Sequence, residues 1–412
     1  MAVLGVDFGT SNSAAGVARE GVPHLIALEA GRPTLPTAVF FDFDRKAMLT
    51  GSAAGAALLE GREGRYMRAL KSLLGQPLMR ERRTLLGERV DFIDIVARFL
   101  VGVKQAAERE TGKRYDRALS GRPVRFHADD GRNAQAAVDL REAYLRAGFE
   151  DVAFMFEPEA AALANRAVLA PGDLGLIVDV GGGTSDFTLF RNRAEGIEIL
   201  GSHGIRLGGT DFDRALSLET VMQLLGRGSQ IRHAFGGETH VAPATIFNDL
   251  ATWQKIPFLY APDSRRLARD LAQYAVEPAL LARLVGVLED ELGHDIAFAV
   301  EEGKIAANGA GGGRIDLGVV ERGLDMMLDA GHLTGILGPM AEQMAESALE
   351  TVSTAGVVPD SVTHLVFVGG SSLMGVTRQA LVARFPQASV HHGSALTAIV
   401  DGLSIAAEGA FG

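Results

Sequence analysis

The chain has 412 residues, 47% of them hydrophobic and 22% charged, with 51 acidic against 40 basic side chains and a net charge of −11. This is a globular composition in a chain too long for one ordinary core, so two or more domains are expected. The acidic balance speaks against a broad nucleic-acid footprint, and the lack of cysteine excludes disulfides, thiolate catalysis and cysteine-bound zinc.

Val3 to Phe8 reads as an apolar strand carrying Asp7 near its end. It runs into the turn Gly9-Thr10-Ser11-Asn12, and a small-residue strand follows over Ser13 to Ala18. Thr37 to Phe43 is β-rich. Helix formers dominate from Gly51 to Leu74, a stretch that includes Lys71 and ends at Gly75 with Pro77 close behind. Phe92 to Arg109 is amphipathic, with Phe92, Ile95, Val96, Phe99, Leu100 and Val103 at helical spacing. Pro123 to His127 is expected as a strand, Asn133 to Ala147 as a helix ended by Gly148, and Val152 to Phe156 as a strand. Glu157 then precedes Pro158 at the first position of an Ala-rich helix. This alternation is the signature of βαβ units.

The second half repeats the plan. Leu174 to Asp179 is a strand, Gly181-Gly182-Gly183-Thr184 a turn, and Phe187 to Phe190 and Ile197 to Leu200 are further strands. Gly208-Gly209 opens a helix over Phe212 to Leu225. A largely helical insert with little strand signal runs from about Gly226 to Asn308, followed by a flexible break over Gly309 to Gly313. Arg314 to Leu317 is a short strand, Thr334 to Ala355 a helix, Leu365 to Val368 a strand leading into Gly369-Gly370-Ser371, and Val376 to Phe385 a helix. A short strand and a helix around Ile399 to Ala407 follow. Internal duplication at this scale suggests two similar lobes and a cleft between them.

The two hairpin turns carry the chemistry. Glycine lets backbone N–H groups approach an anion, and Thr or Ser adds a donor. A carboxylate beside phosphates, here Asp7 and Asp179, requires a cation in between. Two such loops facing each other would clamp a nucleotide and its magnesium ion. Several single features stay open between two readings. Gly208-Gly209 is an anion site or a plain helix cap. Glu157 points into a cleft or caps a helix at the surface. Lys71 taken alone is a surface lysine. Glu301, Lys304 and Asn308 share a helix face, as an exposed ion pair or as the polar rim of a nucleoside site. His391-His392 reads as a solvated loop. Neither Gly112-Lys113 nor Gly303-Lys304 completes a P-loop, since Ala107 and Phe298 stand at the upstream glycine sites and no Ser or Thr follows. No Gly-x-Ser-x-Gly or His-Glu-x-x-His occurs. A signal peptide is not expected, and no uncharged apolar run reaches the roughly 20 residues that span a bilayer.

In their order along the chain, Asp-Phe-Gly-Thr-Ser-Asn, Ala-Leu-Lys, Glu-Pro-x-Ala-Ala, Asp-Val-Gly-Gly-Gly-Thr-x-Asp, Gly-Gly-x-Asp-Phe-Asp, Glu-x-x-Lys and Val-Gly-Gly-Ser resemble the nucleotide-binding domain of the heat shock protein 70 chaperones. That domain belongs to the actin and sugar-kinase ATPase superfamily. The resemblance covers essentially residues 2 to 410 and is nearest to a short bacterial branch, of which Gly121-Arg122-Pro123-Val124 is a feature.

The resemblance implies an α/β fold of two actin-like, ribonuclease-H-like lobes with inserted subdomains around a nucleotide cleft. Lobe I would take residues 1–187, with core 1–38 and 116–187 and insert 39–115. Lobe II would take 188–412, with core 188–227 and 310–412 and a helical insert 228–309. It further implies ATP or ADP with Mg²⁺ and slow ATP hydrolysis. Asp7 and Asp179 match the carboxylates that hold the hydrated metal. Gly9, Thr10, Ser11 and Asn12 match the first phosphate loop, and Gly181, Gly182, Gly183 and Thr184 the second. Lys71, Glu157, Asp186 and Thr184 match catalytic positions: Lys71 orients water, Glu157 orders it and Asp186 accepts its proton. Gly208 and Gly209 match a third loop, and Glu301, Lys304, Asn308, Gly369, Gly370 and Ser371 a nucleoside pocket. Departures lie in the base pocket, at Leu373, Asn308 and Leu396. The expected setting is cytoplasmic. The expected partners are nucleotide and a dedicated protein, with no nucleic acid and no membrane. No autonomous grip on unfolded peptides is expected, because no peptide-binding β-domain is recognisable before Gly412. A small-molecule kinase, a filament-forming relative or a non-hydrolysing nucleotide sensor are the alternatives.

Overall fold

The structure is a computed structural model that describes residues 2–29, 31–127, 129–166, 169–232, 238–309, 311–391 and 396–411. It is a mixed α/β protein whose chain divides into two compact units. The first holds Met1–Arg206, Glu346–Leu373 and Val382–Gly412; the second holds Leu207–Ala345 and Met374–Leu381.

The first unit contains two sheets built to one plan. The first sheet has β1 (Val3–Phe8), β2 (Asn12–Arg19), β3 (Val22–Leu25), β4 (Arg117–Arg122) and β5 (Asp151–Phe156) in the order β5-β4-β1-β2-β3, with Thr34–Pro36 added beside β2. The second has β6 (Leu174–Val180), β7 (Ser185–Arg193), β8 (Gly196–Ile205), β9 (His364–Val368) and β10 (Ser389–His391) in the order β8-β7-β6-β9-β10. In each, the first strand pairs antiparallel with the second and parallel with the fourth. The duplication read from the sequence is therefore a duplication of topology.

Helices cover the sheets. The first is α1 (Phe92–Thr111), capped reciprocally: Asp91 accepts from the Asp94 N–H at 2.8 Å, and Asp94 accepts from the Asp91 N–H at 3.1 Å. It buries Ile95, Val96, Phe99, Leu100 and Val103, the face expected from periodicity. With α2 (Asp130–Arg146) it closes a core over Leu4, Val6 and Phe8, where Phe8 meets Phe99 edge-on at 5.9 Å. A second core joins the two sheets through α3 (Glu157–Ala164) and α4 (Ala398–Ala406), with Leu119, Ile177, Val366, Ile399 and Leu403 buried together. The two helices cross on small residues. A Cβ on Gly402 would stand 1.8 Å from the Ala160 carbonyl oxygen, so only glycine permits the approach.

Several expected elements differ. The helix expected over Gly51 to Leu74 stops at Leu59, and Gly64–Arg68 is a strand instead. It pairs with Ala38–Asp42, a strand buried at every residue, whose second edge would otherwise lack a partner. Lys71 lies on a short 3₁₀ turn, Leu70–Leu73. The strand expected at Pro123 to His127 lies earlier, as β4, and ends where Pro123 has no N–H for the ladder. The helix expected over Phe212 to Leu225 breaks at Thr220.

The second unit carries the helices Gly209–Glu219, Pro262–Tyr274, Pro278–Glu289 and Gly293–Ala307. It also carries two small ladders, Gln230–Arg232 with Thr239–Val241 and Gly313–Asp316 with Asp325–Leu328. The insert is thus mainly helical, as expected, with one short hairpin added. The flexible break expected at 309–313 includes residue 310, outside the described residues.

Candidate functional site

Two hairpin turns form the base of the site. In the first, Asp7 stands opposite Ala14 and Phe8 opposite Ser13, so Gly9, Thr10 and Ser11 make the turn. The turn is pinned from behind: the Thr37 N–H donates to the Ser11 carbonyl at 2.8 Å, and the Ser13 and Thr37 hydroxyls lie 2.8 Å apart. In the second, Asp179 stands opposite Asp186 and Val180 opposite Ser185. Its turn is closed by the Gly181 N–H donating to the Thr184 carbonyl at 2.9 Å. The turns face each other closely, since a Cβ on Gly182 would lie 2.2 Å from the Ser11 hydroxyl. The two glycine turns are thus brought to one place, with the Gly181 N–H already used inside its own turn.

The titratable groups around them are unbalanced. Lys71 donates from Nζ to Glu157 Oε1 at 2.6 Å, both side chains about one-tenth exposed (9% and 10%). Glu157 is the first residue of α3, held there by Pro158 at the start of the helix. Lys71 is therefore not the surface lysine its local sequence suggests, and Glu157 is not an exposed cap. Burial draws Lys71 down, but Glu157, Asp7 and Asp179 outweigh it and hold the ammonium above its ordinary range. Burial pushes Asp7 up to about 7, with Lys71 opposing and Glu157 adding to the shift. Burial and the nearby charges of Glu157, Asp186 and Asp7 push Asp179 well above its ordinary value. Burial, then Glu157, raises Asp186 to about 6.

Four carboxylates thus share one lysine in a buried place, a charge excess that a hard cation would relieve. Among the described residues no group of three or more His, Cys, Asp or Glu side chains has metal-holding geometry. A pair of carboxylates with the remaining ligands from water and phosphate suits magnesium, which seldom uses an all-protein cage.

The remaining expected residues fall in two places. Gly369, Gly370 and Ser371 follow β9 in the first unit, and a Cβ on Gly369 would stand 2.8 Å from Asp179 Oδ1. Leu396 reaches Gly370, and both Leu373 and Leu396 are exposed. Gly208, Gly209, Glu301, Lys304 and Asn308 belong to the second unit. There Asp211 accepts from the Gly208 N–H at 2.9 Å, so the first-turn acid caps that helix start. Lys304 is buried against Asp213 at 2.6 Å instead of pairing with Glu301, and Asn308 accepts from the Gly375 N–H at 2.7 Å.

Sequence reasoning missed three features. Arg122 stacks on Phe126 and Phe156, at 5.2 and 5.4 Å, within the electrostatic reach of Glu157. Asp139 is buried in α2 and ties down the turn that carries Lys71. His391 ends β10, and its Nε2 meets His364 Nδ1 at 2.7 Å, while His364 Nε2 meets Asp173 at 2.9 Å. His391 is thus part of a half-buried hydrogen-bonded chain and not a solvated loop; His392 lies outside the described residues. None of these is signalled by periodicity or a local motif. No helix among the described residues is long and apolar enough to cross a membrane.

Residues 79–232 match the family model described as Hsp70 protein. The chain is 24% identical over 394 residues to the "Chaperone protein HscA homolog" of Bordetella petrii, covering 92% of this chain and 53% of that relative. It is 25% identical over 401 residues to the homologue of that name from Azoarcus sp., covering 93% and 54%. It is 32% identical over 221 residues to the "Chaperone protein DnaK" of Endomicrobium trichonymphae, covering 52% and 34%. The chain spans about half the length, or less, of the curated relatives it matches.

Proposed function

With an Hsp70-family nucleotide-binding domain as the premise, we propose that the chain binds ATP and ADP with Mg²⁺ at the two facing turns and hydrolyses ATP slowly. The observation that carries this reading is the buried set of four carboxylates and one lysine beside those turns. Gly9 to Asn12 and Gly181 to Thr184 would cradle the phosphates through backbone N–H groups and hydroxyls. Asp7 and Asp179 would hold the hydrated metal, which supplies neutralisation of phosphate charge. Lys71 and Glu157, locked in one ion pair, would orient the attacking water. Asp186, raised to about 6, stands close to the operating range of a base at neutral pH. The protein's work is then positioning and charge compensation, without a covalent intermediate.

The resemblance assigns Gly208 and Gly209 to a third loop, and Glu301, Lys304, Asn308, Gly369, Gly370 and Ser371 to the nucleoside. The output we propose is a nucleotide-switched surface for a dedicated protein partner, chaperone-like in kind and cytoplasmic in setting. The test is phosphate release by purified protein with and without Mg²⁺, beside a pull-down in ATP and in ADP. Mg²⁺-dependent release without any added acceptor supports the ATPase and counts against a small-molecule kinase; tight ATP binding with no release would leave a nucleotide sensor.

A further inference from the structure

Lys71 sits on a turn that the local chain does not favour. Ala69 is left-handed at φ 57°, a conformation that costs a non-glycine residue energy unless its surroundings impose it. One 3₁₀ turn follows, Leu70–Leu73, then Gly75 at φ 78°. The far end of this turn is fastened to α2. Buried Asp139 accepts from the Gly75 N–H at 2.9 Å, and its other oxygen accepts from Arg80 and from Gln135, each at 2.8 Å. The contact is tight enough that a Cβ on Gly75 would lie 2.2 Å from the Arg132 carbonyl oxygen. A second fastening is His127, in the loop before α2, whose Nε2 meets the carbonyl of fully buried Leu74 at 2.5 Å.

An imidazole and a buried carboxylate, the latter itself held by Arg80 and Gln135, therefore fasten two backbone groups, three and four residues past Lys71. Among the described residues, neither Asp139 nor His127 bonds to Lys71 itself or to Glu157. We propose that Asp139 and His127 are positioning residues that hold a preset turn, so that Lys71 reaches Glu157 and the facing loops without rearranging. The kinetic consequence rests on the ATPase reading; the placement of Lys71 does not. Misplacing a reacting group by about 1 Å can cost on the order of a hundred-fold in rate.

Two measurements on the whole chain test this. The first needs no nucleotide: acetylation of lysines by a water-soluble amine reagent, followed residue by residue by mass spectrometry. Lys71 should label slowly in the wild type and faster in Asp139→Asn and in His127→Ala, while exposed Lys113 labels equally in all three. The second is turnover. Asp139→Asn should lower kcat by about a hundred-fold with KM little changed, and His127→Ala should lower it less. In a Lys71→Ala background neither substitution should lower kcat further, because a residue acting only through Lys71 has nothing left to position. A merely structural role for Asp139 would keep its cost in that background. Unchanged Lys71 labelling in both variants, or a kcat loss that persists without Lys71, would overturn the proposal. Faster labelling in a protein whose wild type releases no phosphate would sink the ATPase reading and leave the clamp standing.

Discussion

The two sheets of the first unit share one strand order and differ at one cross-strand position. Opposite Asp7 the first hairpin has Ala14; opposite Asp179 the second has Asp186. A duplicated backbone has thus been loaded unequally. The first hairpin keeps a single acid, and the basic and acidic helpers Lys71 and Glu157 come from elsewhere in the chain. The second sets two acids directly across a ladder; burial first, then Glu157, raises both, and the Asp186 charge adds to the rise of Asp179. A topology repeated for folding reasons need not repeat its chemistry. On the proposed reading, one hairpin would hold a cation, and the other would hold a cation and keep a base near neutrality.

The largest effect comes from removing what the hairpins have in common. Replacing Asp7 and Asp179 together by Asn should abolish Mg²⁺-dependent nucleotide binding, read by isothermal titration with and without the metal. Unaltered Mg-ATP affinity in that variant would show the metal assignment to be wrong.

Next in size is Lys71→Ala, which removes the ammonium buried against Glu157. Turnover should fall by several powers of ten while Mg-ADP affinity stays nearly intact, as for an interaction made chiefly in the transition state. A wild-type kcat would leave the buried ion pair a matter of packing alone.

Asp186→Ala makes the second hairpin resemble the first, and its effect should be moderate and pH-dependent. An acid raised in the fold binds its proton more tightly there than in the unfolded chain. Its stabilising contribution is present below the unfolded value near 3.8 and is lost as pH rises through the folded value. The ligand-free wild type should therefore lose melting temperature as pH rises through about 6 for Asp186 and about 7 for Asp7. The variant should show a shallower loss and melt higher than wild type at pH 8, with reduced turnover. Differential scanning fluorimetry across pH reads this; parallel curves for the two proteins would remove Asp186 from the charge excess.

The smallest expected signal is an absence. A labelled hydrophobic peptide should show no micromolar binding to this chain in ADP or in ATP by fluorescence polarisation. Binding in ADP that weakens in ATP would restore a complete chaperone cycle.

Much of this comparison was legible in the sequence. Asp at a strand end before a glycine turn is a local pattern, and it placed both hairpins. The apolar run Leu174 to Asp179 has only one environment open to it, a buried strand. What was not legible depends on distant contacts. Lys71 and Glu157 are 86 residues apart, and nothing near Lys71 distinguishes it from the arginines beside it. Strand β4 reads Arg-Ala-Leu-Ser-Gly-Arg, without the β-branched residues that mark a strand, yet it is buried from Ala118 to Gly121, with Tyr144 against Ser120 and Ile399 and Leu403 against Gly121. The helix formers of Gly51 to Leu74 lost to the need of a buried strand for a second neighbour.

The crossing of α3 and α4 bears on how such a chain can vary. At position 402 the obstacle is the Ala160 carbonyl, part of the main chain, which cannot swing aside as a side chain could. Any larger residue there must displace one helix against the other, and Glu157 stands at the start of the displaced one, three residues before Ala160. In a saturation scan position 402 should tolerate almost nothing, although it is remote in sequence from every candidate site residue of the two hairpins. Drift at this seam is then open only to paired changes on both helices, which makes the crossing a slow-moving marker by which divergent copies of this fold could be aligned.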